Sequence, residues 1–344
     1  MSVRTPVFSS IVINSQNVTN QLAPDIIEYT YDSVLQGGAS SIEFTIRNVN
    51  RNVLNPPQLG QFIEVKHRYS GDANEMNSGT LRIDFMERSS DPTIIRYGAT
   101  AFDYNLGLSN FSVQTYSNRT LSSIIQEIAT SANLTLLGEP SGDIVGTATT
   151  QSGIRSVSVN GNRLRLLQDL ADTYGYAMNL RLGFLIFRDW TTLESQFPNF
   201  QINLGDVTRY RIRERASGLY RTALALYSDT ASVSIVDNTV PQDINFDVRG
   251  EGFYANIGSA TRRSIGQLAK TNRGRFIIYA DLFGEYLYAG DIVNLIGAGS
   301  DNGKYICMRS THNFAPDSGW TMQIELFKIF GSAATVNTTF PPPS

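Results

Sequence analysis

The sequence predicts a mainly β protein with an α+β insert, in which two related antiparallel β-barrels flank a small helix-containing domain. Three observations lead to this fold class. Apolar and polar residues alternate with a period of two near both ends of the chain, helical periodicity is concentrated in the middle, and a glycine-led strand pair occurs twice. The length of 344 residues suits two or three compact domains.

Segments with period-two alternation predict strands that bury only one face. In TLRIDFMER, for example, Leu81, Ile83 and Phe85 share one face, and charged residues occupy the other. Residues 41–48 (SIEFTIRN) and 320–327 (WTMQIELF) repeat this pattern. Such half-buried strands are typical of antiparallel sheets and barrels.

Two amphipathic helices are predicted in the middle of the chain. Residues 118–134 (NRTLSSIIQEIATSANL) carry apolar side chains three and four positions apart, and Thr120 is placed to cap the helix. Residues 162–175 (NRLRLLQDLADTYG) have the same pattern, which stops at Gly175. The sequence that follows predicts a strand hairpin that turns near Gly183.

Signals in the C-terminal half are weaker. A third helix is predicted over residues 260–272, although Gly266 interrupts it. The basic segment RYRIRER, residues 209–215, is interpreted as the solvated face of a strand.

An internal repeat relates the two ends of the chain. In each half, a turn glycine precedes an apolar strand, and a second glycine then opens a pair of longer strands. The matched positions are Gly60 and Gly290, Gly79 and Gly303, Pro92 and Pro316, and Phe102 and Phe327. Glycine at both turns suggests a backbone conformation that other residues tolerate poorly. We interpret the repeat as two related barrels with the helical unit inserted between them.

These patterns define four segments. The first barrel covers residues 1–105 and could be completed by 191–210. The inserted α+β domain covers 106–190, the second barrel 211–330, and a flexible C-terminal tail 331–344.

Composition excludes several classes of function. The net charge of −3 gives no general attraction for nucleic acid or anionic lipid. Cys307 is the single cysteine, which excludes an internal disulfide and favours a reducing compartment. The N-terminal residues lack the apolar core of a secretion signal, and the longest apolar runs have the length of strands, so no membrane insertion is expected.

The stretch from 303 to 327 attracts attention because it contains Cys307, His312 and one of two tryptophans. A Cys–His catalytic pair requires converging side chains, but an odd separation along a regular strand points them to opposite faces. With only His67 and His312 as histidines, a zinc cluster of Cys and His is also excluded. We therefore predict structural roles, no catalytic residue, no cofactor and no metal.

Three further site types lack their sequence signatures. The loop at 297–305 differs from a phosphate-binding loop at Ala298 and Tyr305, and it has too few carboxylates for an EF-hand. A hydrolase would need a pair of carboxylates, and none of the candidates has a local signature. The candidates are Glu64, Asp84, Asp103, Asp281 and Glu285.

The order of these segments resembles the family of phage late control protein D and baseplate hub proteins, which includes the N-terminal half of type VI secretion spike proteins. The resemblance is carried by residues 27–67, by the helix and helix–hairpin of the insert, and by residues 289–314 followed by GWTMQIEL. Positions that match the family are Asn48, Gly60, Gly79, Gly290, Tyr305, Ile306, His312 and Thr321. The departures are an acidic turn with Asp32 as its only carboxylate, and no fused needle or lysozyme domain after residue 330.

The resemblance implies a structural baseplate hub of a contractile phage tail or related injection system. A homotrimer of two-barrel chains would present six similar barrels to the sixfold tail tube and three chains to the central spike, which would be a separate chain. Other baseplate proteins would be further partners, and DNA would only pass through the lumen. The expected location is the virion tail baseplate, after assembly in the host cytoplasm.

Two alternatives belong to other classes of function. A β-rich receptor- or glycan-binding tail protein would display aromatic side chains around a groove. A tail-associated cell-wall hydrolase would hold a buried carboxylate pair in a cleft.

Overall fold

The computed structural model describes residues 5–36, 38–47, 56–90, 93–101, 108, 111–149, 153–181, 183–229, 231–241, 247–315, 319–330 and 334–337. Five residues singled out from the sequence lie outside these ranges: Asn48, Pro92, Phe102, Asp103 and Pro316.

The elements follow one another in three groups. The first group comprises β1 (Pro6–Ile13), β2 (Gln16–Asn17), α1 (Thr19–Leu22), β3 (Ile26–Val34), β4 (Ser41–Arg47), β5 (Phe62–Tyr69), β6 (Met76–Ser90) and β7 (Thr93–Thr100). The insert comprises β8 (Phe111–Ser117), α2 (Leu121–Ser131), β9 (Thr135–Leu137), β10 (Ser156–Asn162), α3 (Arg163–Tyr174), β11 (Tyr176–Arg181), β12 (Phe184–Asp189) and α4 (Trp190–Ser195). The last group comprises β13 (Phe200–Asn203), β14 (Arg209–Glu214), β15 (Thr222–Ser228), β16 (Ala231–Asp237), β17 (Asp247–Phe253), α5 (Ile257–Asn272), β18 (Phe276–Phe283), β19 (Ile292–Ile296), β20 (Gly303–Ala315), β21 (Gly319–Lys328) and β22 (Ala334–Asn337).

The mainly β fold with a helix-bearing insert is confirmed, and the strands at the two ends of the chain are organised in one sheet. Among the described residues this sheet has 13 strands in the order β14-β18-β21-β20-β3-β4-β7-β6-β5-β1-β2, with β19 beside β20 and β13 beside β19. The strand pairing therefore runs continuously through both predicted barrels. Hydrogen bonding among these residues closes neither of them into a separate ring.

The insert has the predicted local structure because its signals are short-range. The Thr120 side chain accepts a hydrogen bond from the Ser123 amide at the start of α2. The helix α3 ends at Gly175, whose φ is 77°, and the hairpin β11–β12 turns at Gly183 with a φ of 80°. The buried faces of α2, α3 and the hairpin form one apolar core.

The last group also contains a smaller layer that the sequence patterns did not separate. The strands β17, β15, β16 and β22 form a four-stranded sheet, and α5 packs against β15 and β16. The predicted third helix is thus present as Ile257–Asn272. Its buried residues join those of β15 and β16 in a separate apolar cluster.

Two predicted boundaries are wrong in part. Residues 191–210 do not complete the first barrel, because β13 pairs with β19 of the C-terminal group. Asn199 fixes this placement: its Nδ2 donates to Asp291, and its Oδ1 accepts from the Ile292 amide at 2.9 Å. Within the expected flexible tail, residues 334–337 form β22, which pairs with β16.

Candidate assembly interface

The strands at the two ends of the chain form two equivalent units. The first unit has the order β3-β4-β7-β6-β5, and the second has the order β14-β18-β21-β20-β19. In both units the chain forms the first two strands of this order, then the fifth, the fourth and the third. The long strand of each unit also has a β-bulge at the matched position, between Ile83 and Phe85 in β6 and between Cys307 and Arg309 in β20. A bulge is a specific local feature, so its recurrence strengthens the case for duplication.

The paired glycines of the sequence repeat make the same contacts in both units. The Gly60 amide donates to the Ile83 carbonyl at 2.8 Å, and the Gly290 amide donates to the Cys307 carbonyl at 2.7 Å. The residue after each glycine accepts a hydrogen bond back from the same strand position. Both glycines have positive φ, +85° and +99°, a region that disfavours side chains. The predicted equivalence of Gly60 and Gly290 is confirmed by these contacts.

The two units are joined inside the chain by an antiparallel pairing of β20 with β3. The guanidinium of Arg309 makes two hydrogen bonds to the Asp32 carboxylate, at 2.7 and 2.6 Å. The Thr311 hydroxyl donates to the same carboxylate at 2.8 Å. This bidentate geometry fixes the register as well as the charge pairing. The expected turn at Asp32 is wrong, because Asp32 is a paired residue within β3, where its carboxylate serves the junction between units.

The buried side of this junction is an aromatic cluster. His312 of β20 stacks on Tyr31 of β3, with ring centroids 5.9 Å apart. Trp320, from β21 of the second unit, lies in the core of the first unit and meets His67 edge-on at 4.8 Å. The second unit thus supplies core residues to the first.

The two histidines are buried and differ in their hydrogen bonds. The Trp320 indole N–H donates to His312 Nδ1, so Nε2 carries the proton and donates to the Leu287 carbonyl at 3.1 Å. Neither ring nitrogen of His67 has a hydrogen-bond partner among the described residues. Burial lowers the pKa of His67 to about 3 and that of His312 to about 4, so both are neutral at pH 7.

The expected opposition of Cys307 and His312 is wrong. The bulge in β20 shifts the alternation, and the cross-strand partners Leu326 and Met322 place both residues on one face of the sheet. Their bonds nevertheless differ: the Cys307 thiol donates to the Arg309 carbonyl, whereas His312 contacts Leu287, Ser310 and Trp320. Burial raises the pKa of the Cys307 thiol well above its usual value, which opposes formation of a reactive thiolate.

The other positions of the family resemblance serve the framework. Gly79 lies in β6 with a φ of +68°. The Tyr305 hydroxyl donates to the Asp301 carbonyl at 2.6 Å, and its ring lies in the core of the second unit. Ile306 belongs to an apolar cluster between the second unit and the insert. Thr321 is half-buried in β21 and pairs with Asn313.

Candidate carboxylates for hydrolysis bond to other groups. Asp84 accepts from Thr100 at 2.8 Å, and Asp281 accepts from Arg209 at 3.0 Å. Glu64 accepts from Asn77 at 2.9 Å, at the edge of a cleft of about 740 Å³ between the first unit and the insert. Within the described ranges there is no group of three or more His, Cys, Asp or Glu side chains arranged for a metal ion. None of the helices in those ranges combines the length and hydropathy that a bilayer span requires.

The junction was not visible to sequence reasoning. Asp32 and Arg309 are 277 positions apart, and although Asp32 was compared with the family pattern, no sequence pattern pairs it with Arg309. The available signal was indirect: the two strands that meet here belong to the two repeated units. Once the units are superposed, each strand has a counterpart whose edge can be compared.

Comparison with solved structures identifies the fold. A tail protein from Neisseria meningitidis aligns with a TM-score of 0.66 and 13% identity, covering 94% of this chain and 96% of that one. A 43 kDa tail protein of a Shewanella oneidensis prophage aligns at 0.65 and 13%, covering 92% and 98%. An Escherichia coli component of the type VI secretion system, described as similar to T4 tail proteins gp27 and gp5, aligns at 0.54 and 12%, covering 97% and 79%.

Sequence comparisons add nothing to this result, since no family model and no curated protein matches the chain. The chain therefore has the fold of phage tail proteins, a fold that also occurs in a component of the type VI secretion system.

Proposed function

We propose that this chain is a structural hub of a contractile phage tail or a related injection system. In this role three chains form an adaptor between the sixfold tail tube and the threefold central spike. The chain acts without catalysis and without a cofactor. Its location is the tail baseplate of the virion, after assembly in the host cytoplasm.

The observation that carries the proposal is the duplicated unit. Two units with the same strand order, the same bulge position and the same glycine contacts lie in one chain. Three such chains present six equivalent units, which match a sixfold ring, while the chain count remains three. The duplication within each chain therefore matches a threefold assembly to a sixfold ring, with no chemical step.

The fold comparisons support the same proposal. The aligned proteins include phage tail proteins over almost the full length of both chains. Partners in this role are a second and third copy of the chain, the tail tube protein, the central spike and other baseplate proteins. DNA crosses the lumen only as cargo, and the chain itself inserts into no membrane.

The oligomeric state tests the proposal. Light scattering of the purified chain should give about three times the chain mass of 38.0 kDa, and the complex formed with tube and spike proteins should contain three copies of the chain. Class averages from electron microscopy should show a ring with six similar lobes. A chain that remains monomeric with both partners present would contradict the adaptor role.

Two further assays separate the alternative functions. Tube protein should be retained on the immobilised chain, whereas a receptor-binding protein would retain glycan or receptor without tube. Incubation with peptidoglycan should release no fragments. Release that depends on Glu64 would indicate a hydrolase instead.

A further inference from the structure

We infer that a second copy of this chain docks its strand β14 antiparallel to the distal part of β6, and that this strand pair forms the seam between chains. The inference rests on the proposed trimer and specifies its contact. It repeats, between two chains, the pairing of β20 with β3 that already joins the two units within one chain.

Two pairs of strand edges have to be compared. We call the edges of β20 and β3, which are hydrogen-bonded to each other, the used pair, and the equivalent edges of β6 and β14 the unused pair. In the used pair, β20 continues past the bulge along β3. The counterpart of β20 is β6, which pairs with β5 only up to Arg82 and with β7 on its other side. The counterpart of β3 is β14, which ends the sheet beyond β18. Within the described residues, no strand lies along the outer edge of β14 or along residues 84–90 of β6 on the side away from β7.

Cross-strand rows fix the register of the proposed seam. Following the cross-strand pairs from Met86 through β7 and β4 leads to Tyr29, and following them from Ser310 through β21 and β18 leads to Tyr210. Met86 and Ser310 are equivalent because each lies three positions after the residue that precedes its bulge. Tyr29 and Tyr210 are therefore equivalent as well. Within the chain Ser310 pairs with Ser33. The equivalent of Ser310 is Met86 and the equivalent of Ser33 is Glu214, so Met86 should pair with Glu214 of the second copy. The proposed pairs are Phe85 with Arg215, Met86 with Glu214, Glu87 with Arg213, Arg88 with Ile212, and Ser89 with Arg211 of the second copy.

The unpaired edges carry exposed aromatic side chains. Tyr210 on β14 is 52% exposed, whereas its counterpart Tyr29 is buried in the core of the first unit against Phe8 and His67. Phe85, beside the bulge of β6, is 47% exposed. A long strand edge with exposed aromatic side chains is a pairing site that proteins usually protect. Docking of a second copy covers both aromatic residues.

Charge complements the proposed register and opposes the wrong one. Glu87 faces Arg213 and lies diagonal to Arg211, so one carboxylate meets two guanidinium groups, whereas that of Arg215 donates to the Thr271 carbonyl of its own chain. In the used pair the signs are reversed, with the cation of Arg309 on the long strand and the anion of Asp32 on β3. If β6 paired with β3, Glu87 would face Asp32, a repulsive contact. Charge therefore favours the pairing of β6 with β14 over a pairing of β6 with β3.

Cysteine cross-linking tests the seam. The double variant Ser89→Cys with Arg211→Cys should, after mild oxidation, give covalent dimers and trimers on a non-reducing gel, with the closed trimer as the limiting species. Six strands separate β14 from β6 in the sheet order, so the link has to form between chains. The single native Cys307 is buried and serves as background in every variant.

The matched control is Ser89→Cys with Arg215→Cys. It has the same face and chemistry but shifts the partner by four residues, about 13 Å along the strand, beyond the reach of a disulfide. Circular dichroism of each reduced variant verifies that the fold is retained.

Charge exchange gives a second, independent measurement. Glu87→Lys and Arg213→Glu should each raise the concentration needed for half-maximal trimer formation by at least about threefold, and their combination should restore it.

The outcomes are distinguishable. Covalent trimers in the first variant but not in the control support the seam. A trimer by light scattering, with equal cross-linking in both variants, overturns the seam and leaves the proposed function intact. A chain that stays monomeric with tube and spike present overturns the proposed function, and the seam with it.

Discussion

His67 is a buried polar residue whose two ring nitrogens lack hydrogen-bond partners among the described residues. It lies between Tyr29, Trp320 and His312. A desolvated imidazole favours the neutral form, which explains why its folded pKa is about 3. The unfolded chain takes up a proton below pH 6.5, whereas the folded chain does not until the pH is far lower. The contribution of neutral His67 to the free energy of unfolding is therefore fully present above pH 6.5 and is lost as the pH falls towards 3.

The first prediction concerns His67→Leu. The substitution removes a group that the unfolded state protonates, so it should abolish about 2 kcal/mol of the stability loss between pH 7 and pH 5. At pH 7 the variant should remain within about 1 kcal/mol of the original chain, because no hydrogen bond to the described residues is broken. Urea unfolding at the two pH values measures both quantities.

His312→Gln is the matched comparison. His312 has a lowered pKa of about 4, so its replacement should flatten the pH dependence in the same direction. Unlike His67, His312 bonds to Leu287 and accepts from Trp320, so this variant should lose about 1 kcal/mol at pH 7 as well. Equal pH slopes in the original chain and both variants would show that other groups control acid unfolding.

At the scale of elements, the crossing of α5 over α3 depends on two glycines. A Cβ on Gly266 would clash with the Thr173 carbonyl oxygen and with the Gly175 amide. Gly175 itself ends α3 with a φ of 77°. The glycine that weakens the helical pattern of residues 260–272 is thus explained by close packing of the two backbones.

The second prediction is that Gly266→Ala destabilises the chain by about 1–3 kcal/mol, although alanine is intrinsically the better helix former. Thermal unfolding measures the change. Gly258→Ala is the comparison in the first turn of the same helix: the atoms nearest to its Cβ are side-chain oxygens of Asp143 and Asn256 and not backbone atoms, so it should cost less than Gly266→Ala. A higher melting temperature for Gly266→Ala than for the original chain would contradict the packing argument.

Elements with local signals were predictable from the sequence. The cap at Thr120, the helix end at Gly175 and the turn at Gly183 each depend on residues within one turn of the chain. The bulge in β20 was missed because a single extra residue leaves the alternation of apolar residues superficially intact. Its effect is large, since it brings Cys307 and His312 to the same face.

Long-range pairing was beyond the sequence patterns for a different reason. A strand edge has no side-chain signature of its own, so the alternation that predicts β3 and β20 does not specify that they are neighbours. The repeated glycines gave the equivalence of the units, and the contacts of Gly60 and Gly290 confirm it. The repeat does not predict which strands pair between the units, because that pairing depends on Asp32 and Arg309.

At the scale of the whole molecule, the sheet couples its two units. Trp320 belongs to a strand of the second unit, yet its ring lies in the core of the first. Phe314 at the end of β20 does the same. Removing the second unit would therefore open the first core as well, and the two units should unfold together.

The last prediction uses the placement of the tryptophans. Trp190 packs under the Arg273 guanidinium, 3.5 Å from the ring centroid, and Trp190→Phe preserves an aromatic ring there. In that variant Trp320 is the single tryptophan, and its fluorescence, excited selectively over that of the tyrosines, reports on the first core. Ile278 is fully buried in the second unit, and Ile278→Ala should cost about 2–5 kcal/mol. Because the units share core residues, the urea midpoint of Trp320 fluorescence should shift as far as it does for Ile63→Ala in the first unit. A Trp320 midpoint that ignores Ile278→Ala, alongside a two-step circular dichroism transition, would mean that the units unfold separately and that the strand pair between them is only a contact.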